Sequence, residues 1–262
     1  SIIQDLRSQD TVAIINAASK LKNSDLEPSH EIIDELLNLI KNSDLVARYH
    51  VISLVGLRYG EPRAFPLLLE MLTGDELNSI LDSEEPDSPV ISSAIRSISS
   101  IAEENAELIP QTIKILAQLV LNKRISPDYR GLAYLTIRYL MGIITKKELH
   151  SIDIGEIENI EQLEIDWKWI KNLLITGISP EIVIKQAIKH LDGYIEYIKK
   201  WLENATKKEE EKKYIIEMKL AFVKNLNEEM KYLKKCLENP AVDKEEKEKI
   251  KAALKKGEKS IE

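Results

Sequence analysis

DLVARYHVISLVG, residues 44–56, is the part of the sequence that indicates the fold class most clearly. Its apolar residues recur at intervals of three and four, which places their side chains on one face of an α-helix. Asp44 stands directly before the run, where its carboxylate can accept hydrogen bonds from the first backbone N–H groups of the helix. Helix-period patterns dominate the rest of the chain, without the strict alternation typical of a β-strand. The sequence therefore predicts an all-α protein.

An Asp in a short polar opening before an apolar helix occurs four times in the first half of the chain. These residues are Asp10, Asp44, Asp87 and Asp128, spaced 34, 43 and 41 residues apart. A period near 40 residues is typical of stacked helix pairs, because one pair cannot bury its apolar face alone. The predicted pairs are 9–22 with 29–42, 44–59 with 62–73, and 88–103 with 107–122, and helix 128–144 begins a further one. Residues 74–88 predict an acidic loop with at most one helical turn.

Residues 44–56 resemble the second helix of a HEAT repeat. In that pattern an Asp caps the helix, an Arg follows one turn later and a small residue closes it, and Asp44, Arg48 and Gly56 occupy these places. The helix that begins at Asp128 resembles the pattern more loosely. The resemblance covers residues 1–149 and implies a HEAT/armadillo-like α-solenoid of three to four helix pairs.

The remaining residues predict a second helical region. Residues 150–166 carry six acidic residues and no Lys or Arg, and we interpret them as the connection between the regions. In 167–262 we predict a short helix around Trp167, two long helices that form a hairpin, and a short extra helix that ends before Gly257. Aromatic residues beside the first long helix either pack the hairpin onto the repeats or, if exposed, mark an interface.

Composition and charge exclude several classes of protein. Apolar residues make up 44% and charged residues 31%, as in an ordinary globular protein. The single cysteine, Cys236, excludes a disulfide-stabilised secreted fold. No apolar run approaches the roughly 18 residues of a membrane span, and residues 1–10 lack the character of a signal peptide. We expect a cytoplasmic protein, and the heavy use of Ile, Lys and Glu indicates a thermophile.

The sequence contains no motif for catalysis or for binding a metal or cofactor. Its four His residues lack the helical spacing of metal ligands, and the glycine-rich phosphate-binding motifs do not occur. Some HEAT-repeat hydroxylases hold a di-iron centre with several His-Glu pairs, whereas this chain has one, His30-Glu31. We expect a protein that is not an enzyme and has no metal and no cofactor, while an enzyme with an unrecognised site remains an alternative.

A set of Arg and Tyr residues is the candidate site. The residues predicted to bind a partner are Arg48, Tyr49, Arg58, Arg124, Arg130, Tyr134 and Arg138. The last three, on the helix from Asp128, recur every four residues and so line one face. Arg and Tyr are enriched at the energetically important positions of protein interfaces. In an alternative interpretation, each Arg pairs with an acid of the neighbouring repeat and only stabilises the fold.

The first functional hypothesis is an adaptor or scaffold that binds another protein through the repeat surface. The second is a nucleic-acid-binding HEAT-like protein, associated with DNA repair or with RNA, that uses residues 114–147. These residues hold seven Lys or Arg against one acid, Asp128, and Arg and Tyr would suit phosphates and bases. HEAT-like DNA glycosylases use a basic concave face of this type. The net charge of −7 argues against a dedicated nucleic-acid-binding protein.

Overall fold

The computed structural model describes residues 1–24, 27–83, 89–205 and 212–260. Over these residues the protein is all-α: it has 14 α-helices and no strand, and helices account for 80% of it. The prediction of an all-α fold is confirmed. No helix in the described ranges is both long and apolar enough to cross a membrane. The chain divides into two compact units, residues 1–102 with 110–177, and residues 103–109 with 178–262.

The first unit contains the helices α1 to α11, apart from the end of α7 and the first residue of α8. Their bounds are α1 Ile2–Leu6, α2 Thr11–Lys22, α3 His30–Asn42, α4 Leu45–Ile52, α5 Ala64–Met71, α6 Gly74–Leu81, α7 Pro89–Glu104, α8 Ile109–Leu121, α9 Pro127–Leu140, α10 Lys146–Ser151 and α11 Trp167–Thr176. α4 continues directly into a π-helical segment, Ser53–Arg58.

Helices of the first unit pack side by side and also against the helix two places along. α1 contacts α2 and α3 contacts α4, while α1 also packs on α3, α3 on α5, and α2 on α4. α4 and the π-helical segment that follows it contact α7 through small residues. Ser53 Oγ lies 2.8 Å from Ser93 Oγ, and Ser97 Oγ donates to the carbonyl oxygen of Ile52 at 3.2 Å. The core of this unit includes fully buried aliphatic side chains of α3, α5 and α7, among them Leu36, Ile40, Leu68, Ile95 and Ile98.

The predicted Asp caps have different outcomes. The carboxylates of Asp10 and Asp44 accept hydrogen bonds from backbone N–H groups of the first turns of α2 and α4. Asp128 lies inside the first turn of α9, whose N-cap is Ser126. Asp87 lies outside the described residues. Of the three positions that the structure describes, two therefore cap a helix directly.

Two segments expected to be irregular pack as ordered structure. Residues 74–81 form α6, where Leu77, Ile80 and Leu81 are buried and acids occupy the first turn, as the helix dipole favours. The expectation of a loop with at most one turn is wrong for this part, and residues 84–88 are not described. Residues 150–166, interpreted as a connection, form two 3₁₀ turns, Ile154–Glu156 and Ile160–Leu163, that pack on α9. They and α11 lie in the first unit.

The second unit is built on two long helices, α12 Pro180–Ala205 and α13 Lys212–Glu238, with α14 Lys244–Lys259 packed on both. Its core joins Leu191 and Ile195 of α12 to Leu226 and Leu233 of α13. α14 continues through Gly257, so the expected end before this residue is wrong. A Cβ at Gly257 would lie 2.6 Å from Met230 Sδ, so the glycine marks a close contact with α13 and not the end of the helix.

A histidine–carboxylate pair joins the two long helices. His190 Nδ1 of α12 lies 2.8 Å from Glu229 Oε2 of α13. The hydrogen bond to Glu229 raises the pKa of His190 above its ordinary 6.5, and the charges of Glu104 and Glu103 add to it, although burial acts in the opposite direction. The folded protein therefore binds the proton more tightly than the unfolded chain does.

We expect the stabilising effect of His190 to depend on pH. A histidine whose pKa is raised on folding contributes stability that is fully present below pH 6.5, and that is lost as the pH rises through the folded pKa. The His190→Gln variant should then lose about 1 kcal/mol of unfolding free energy at pH 5.5 and less at pH 9. Urea unfolding at both pH values measures this. A loss that is equal at both, or larger at pH 9, would contradict the assignment.

Candidate functional site

Arg48 is the most buried of the predicted binding residues that carry a charge, with 9% of its surface exposed. Its Nη1 pairs with Glu76 Oε1 at 2.7 Å, and its Nη2 donates to the carbonyl oxygens of Lys41 at 3.1 Å and Ser43 at 3.0 Å. The side chain thus joins the end of α3 to α6. A partner would reach little of it.

Arg58 and Arg124 are exposed but are held by their own chain. Arg58 donates to the carbonyl oxygen of Ser24, and its guanidinium lies 5.9 Å from the ring centroid of Tyr59. Arg124 pairs with Asp82 and donates to Asn78 Oδ1, at the end of α6. Further pairs of this type, Arg7 with Glu35, Arg63 with Asp34 and Lys41 with Glu70, also join neighbouring helices. These contacts are the ones expected if the arginines pair within the chain and only stabilise the fold. Tyr49 is half-buried beside His50.

The three residues on α9 lie together, and α11 packs its tryptophans on them. The guanidinium of Arg130 is 5.7 Å from the ring centroid of Trp167, and its Nε donates to the carbonyl oxygen of Val120 at 2.8 Å. Tyr134 is buried and meets Trp169 edge to face, with ring centroids 6.2 Å apart. The guanidinium of Arg138 lies 5.8 Å from the Tyr134 centroid. The spacing predicted one common face, and the structure shows two stacked Arg–aromatic pairs on it.

A cleft of about 340 Å³ opens beside Arg138. Its walls are Tyr134, Arg138, Ile143, Leu163, Glu164 and Trp169. Within the described ranges the Arg138 guanidinium makes no hydrogen bond or ion pair, so its five N–H donors face the cleft or solvent unused. Ile143 is an exposed apolar residue at the rim. The cleft therefore combines an anion-binding group with aromatic and aliphatic walls.

Glu164 forms the acidic wall of this cleft in a strained conformation. Its φ of 49° is the only positive value for a non-glycine residue in the part of the chain that the structure describes. Left-handed backbone costs about 1 kcal/mol or more for such a residue, and strain of this kind is common at binding sites. The carboxylate lies on the same cleft as Arg138, which gives the cleft both signs of charge.

The basic character of residues 114–147 is offset by the segment that covers α9. The two 3₁₀ turns packed on α9 carry exposed carboxylates, including Glu156, Glu161 and Glu164. Burial lowers the pKa of Arg130, and the nearby charge of Glu161 acts against this. The face of α9 is therefore not the continuous positive surface that phosphate backbones require.

The tryptophans and Leu163 were not among the predicted binding residues. Gly131 could have indicated them, because an isolated glycine inside a helix often marks a close approach. A Cβ at Gly131 would lie 2.8 Å from Ile157 Cδ1 and 3.1 Å from Leu163 Cδ1. The glycine lets the covering segment lie against α9 and so shapes the cleft.

Among the described residues, no group of three or more His, Cys, Asp or Glu side chains is placed to hold a metal ion. Comparison with family models, with curated proteins and with solved structures gives no match to this chain.

Proposed function

We propose that this protein is an adaptor without enzymatic activity, which binds a segment of another protein in the cleft beside Arg138. The observation that carries the proposal is the Arg138 guanidinium, held against Tyr134 with its donors unused and beside Trp169. A guanidinium binds a carboxylate through two parallel hydrogen bonds. Aromatic walls add buried area at little entropic cost, which makes such residues dominant at interfaces.

The ligand that suits the cleft is a short segment with an acidic residue next to an apolar one. The volume of about 340 Å³ lies at the small end of ligand sites and accommodates one or two side chains. The acid would meet Arg138, and the apolar side chain would lie between Trp169 and Ile143. Glu164 on the same wall would disfavour a segment with a second acid beside the first.

A HEAT-like α-solenoid of three to four helix pairs, followed by the α12–α13 hairpin with its extra helix, is the architecture that we propose for this adaptor. Its support is the contact of each of α1, α2 and α3 with the helix two places along, together with the Arg–acid pairs between neighbouring helices. Stacked pairs of this kind expose long surfaces on which partners bind. The single, buried Cys236 supports a cytoplasmic location.

Nucleic-acid binding is the second candidate, because Arg138 with Tyr134 and Trp169 would also suit a phosphate and a base. The acidic segment on α9 makes it the weaker one. The two functions differ in their response to salt, since each phosphate contact contributes about one log unit of affinity per log unit of salt. The affinity for a protein that binds through one charged group should depend only weakly on the salt concentration.

The expected result is that Arg138→Glu and Trp169→Ala each weaken peptide binding at least tenfold. Selection from a displayed library of random 12-residue peptides supplies the ligand, and fluorescence anisotropy with a labelled peptide measures its affinity. Arg138→Glu reverses the charge that holds the acid, and Trp169→Ala removes the apolar wall. Arg138→Lys should lie between, because Lys keeps the charge but loses the planar fork.

Arg96→Glu is the matched control, since Arg96 is an exposed residue of α7 that does not line the cleft. Its affinity should equal that of the unchanged protein. Equal losses for Arg96→Glu and Arg138→Glu would show that only net charge matters. Binding of a single-stranded oligonucleotide at roughly 50 mM salt, with a steep salt dependence, would replace the adaptor by the nucleic-acid function.

A further inference from the structure

The second unit contains a groove of about 570 Å³ between α12 and α14. The two helices run in the same direction along it. Lys256 pairs with Asp192 at 2.6 Å, and Glu246 and Glu181, which lie three turns earlier in α14 and α12, line the same groove. Sites for small molecules have volumes of about 300–1,000 Å³. The groove is therefore large enough for a small ligand, and one unit of the chain supplies all of its walls.

The floor of this groove is apolar and includes small side chains. Ala253 is buried in the core of the unit, and Ile188 packs against that core. Ala252 lines the groove from the exposed side of α14. Longer side chains at the two alanines would fill this space. An apolar floor favours the hydrocarbon part of a ligand, because binding removes apolar surface from water.

One carboxylate of the groove is buried but only partly paired. The Glu246 side chain is 8% exposed, and its Oε1 accepts a hydrogen bond from Lys249 Nζ at 2.7 Å. Its Oε2 has no hydrogen-bond partner among the residues that the structure describes. Lys249 is half exposed and is shared with Glu245. A buried charge is stable only when its hydrogen-bonding capacity is used, so Glu246 can accept a further donor from a ligand.

Two charged residues of α12 at this groove have no partner. Glu181 and Lys185 are exposed and stand one helical turn apart, and neither forms a hydrogen bond or an ion pair with any other described residue. The other two lysines of the groove are each bound to an acid. Lysines and acids are equal in number among its walls. The groove thus has no net charge, and it offers groups of both signs to a ligand.

We propose that this groove binds a small zwitterion with an apolar body, of the size of a dipeptide. Its ammonium group would bind Glu246 and Glu181, and its carboxylate would bind Lys185. Its side chains would lie on Ile188 and Ala253. A ligand of one sign would leave the opposite group of the groove unpaired, whereas a zwitterion pairs both. The lengths agree, because two extended residues span at most about 7 Å and one helical turn rises about 5.4 Å.

Isothermal titration calorimetry of the full chain with leucyl-leucine tests the proposal. We expect a dissociation constant of about 1 mM or lower. N-acetyl-leucyl-leucine lacks the ammonium group and leucyl-leucine amide lacks the carboxylate, so each should bind at least tenfold more weakly. Glycyl-glycine keeps both charges but has no apolar side chain, and its affinity should fall by at least the same factor.

Substitutions at the groove connect each group of the dipeptide to its residue. Lys185→Gln should weaken leucyl-leucine at least tenfold and leave the affinity for leucyl-leucine amide unchanged, a difference that a general loss of structure would not produce. The control Lys189→Gln changes an exposed lysine one turn further along α12 that does not line the groove, and both affinities should stay the same. Ala252→Leu fills the groove from an exposed position and should abolish binding, while circular dichroism verifies the fold.

Three outcomes overturn the proposal. One is the absence of leucyl-leucine binding at about 1 mM. Another is an equal affinity for leucyl-leucine and for either blocked form, which would assign the groove to a ligand of one charge or of none. The third is binding that Ala252→Leu leaves unchanged but Arg138→Glu removes, which would place the dipeptide in the cleft beside Arg138. The adaptor function does not depend on any of these results, since the two sites share no residue.

Discussion

The Gly56→Ala variant should unfold with about 3 kcal/mol less free energy than the unchanged protein. A Cβ at position 56 would lie 2.1 Å from Ser97 Cβ and 3.0 Å from Ser97 Cα. Ser97 is fully buried in α7, and its hydroxyl is held by the carbonyl oxygen of Ile52, so it has no space into which to move. Overpacking of a buried contact typically costs 1–3 kcal/mol, and a clash with backbone lies at the upper end. Urea unfolding followed by tryptophan fluorescence measures the loss.

Two further variants make this result specific. Gly193 lies inside α12 with nothing within 4 Å of an added Cβ, so Gly193→Ala should stabilise the protein by about 0.5–1 kcal/mol through helix propensity. Ser97→Gly removes the side chain that a Cβ at position 56 would meet. The double variant, Gly56→Ala with Ser97→Gly, should therefore lose less unfolding free energy than the sum of the losses of the two single variants. If the losses simply add, the close approach of the segment after α4 to α7 is not the cause.

The Arg48→Ala variant should also lose about 3 kcal/mol of unfolding free energy. The guanidinium is buried and binds Glu76 and the carbonyl oxygens of Lys41 and Ser43. Without it, these carbonyl groups at the end of α3 and a partly covered carboxylate lose their donor. Removal of one partner from a buried charged network costs about 3–5 kcal/mol, and the partial exposure of Glu76 places this case at the lower limit.

The comparison with Arg63 separates burial from charge. Arg63 pairs with Asp34 and Glu61 on the surface and is half exposed, so Arg63→Ala should reduce the unfolding free energy far less than Arg48→Ala does. Arg48→Lys should remain well below the unchanged protein, because one ammonium cannot reach acceptors on both sides of the guanidinium. A loss for Arg48→Ala as small as that for Arg63→Ala would return Arg48 to the set of binding candidates.

The sequence predicts those features of the fold that depend on interactions between neighbouring residues. α2 and α3 begin and end within two residues of their predicted bounds, because caps such as Asp10 and Ser29 and the helical period act over one or two turns. α6 was missed because it is eight residues long, and its helicity depends on the burial of Leu77 and Ile80. Gly257 indicates a helix end in the sequence, whereas in the structure it lies inside α14 against Met230.

The candidate site likewise has features set by neighbouring residues and features set by distant ones. Arg130, Tyr134 and Arg138 recur every four residues, which is enough to place them on one face of α9. Trp167 lies 37 residues after its partner Arg130 and Trp169 lies 35 residues after Tyr134, and no local rule connects residues so far apart. The dipeptide Arg-Tyr occurs at residues 48–49 and at residues 138–139, but the two arginines differ in burial. Arg48 is enclosed by α3 and α6, whereas Arg138 lines a cleft.

That this protein is all-α can be predicted without a structure, since helical periodicity and N-caps are encoded within a few neighbouring residues. Which arginines stabilise the fold and which face a cleft follows from the tertiary structure. These properties depend on which distant side chains meet. Such contacts arise from the packing of whole helices, and helices pack through small differences in shape that a single sequence does not display.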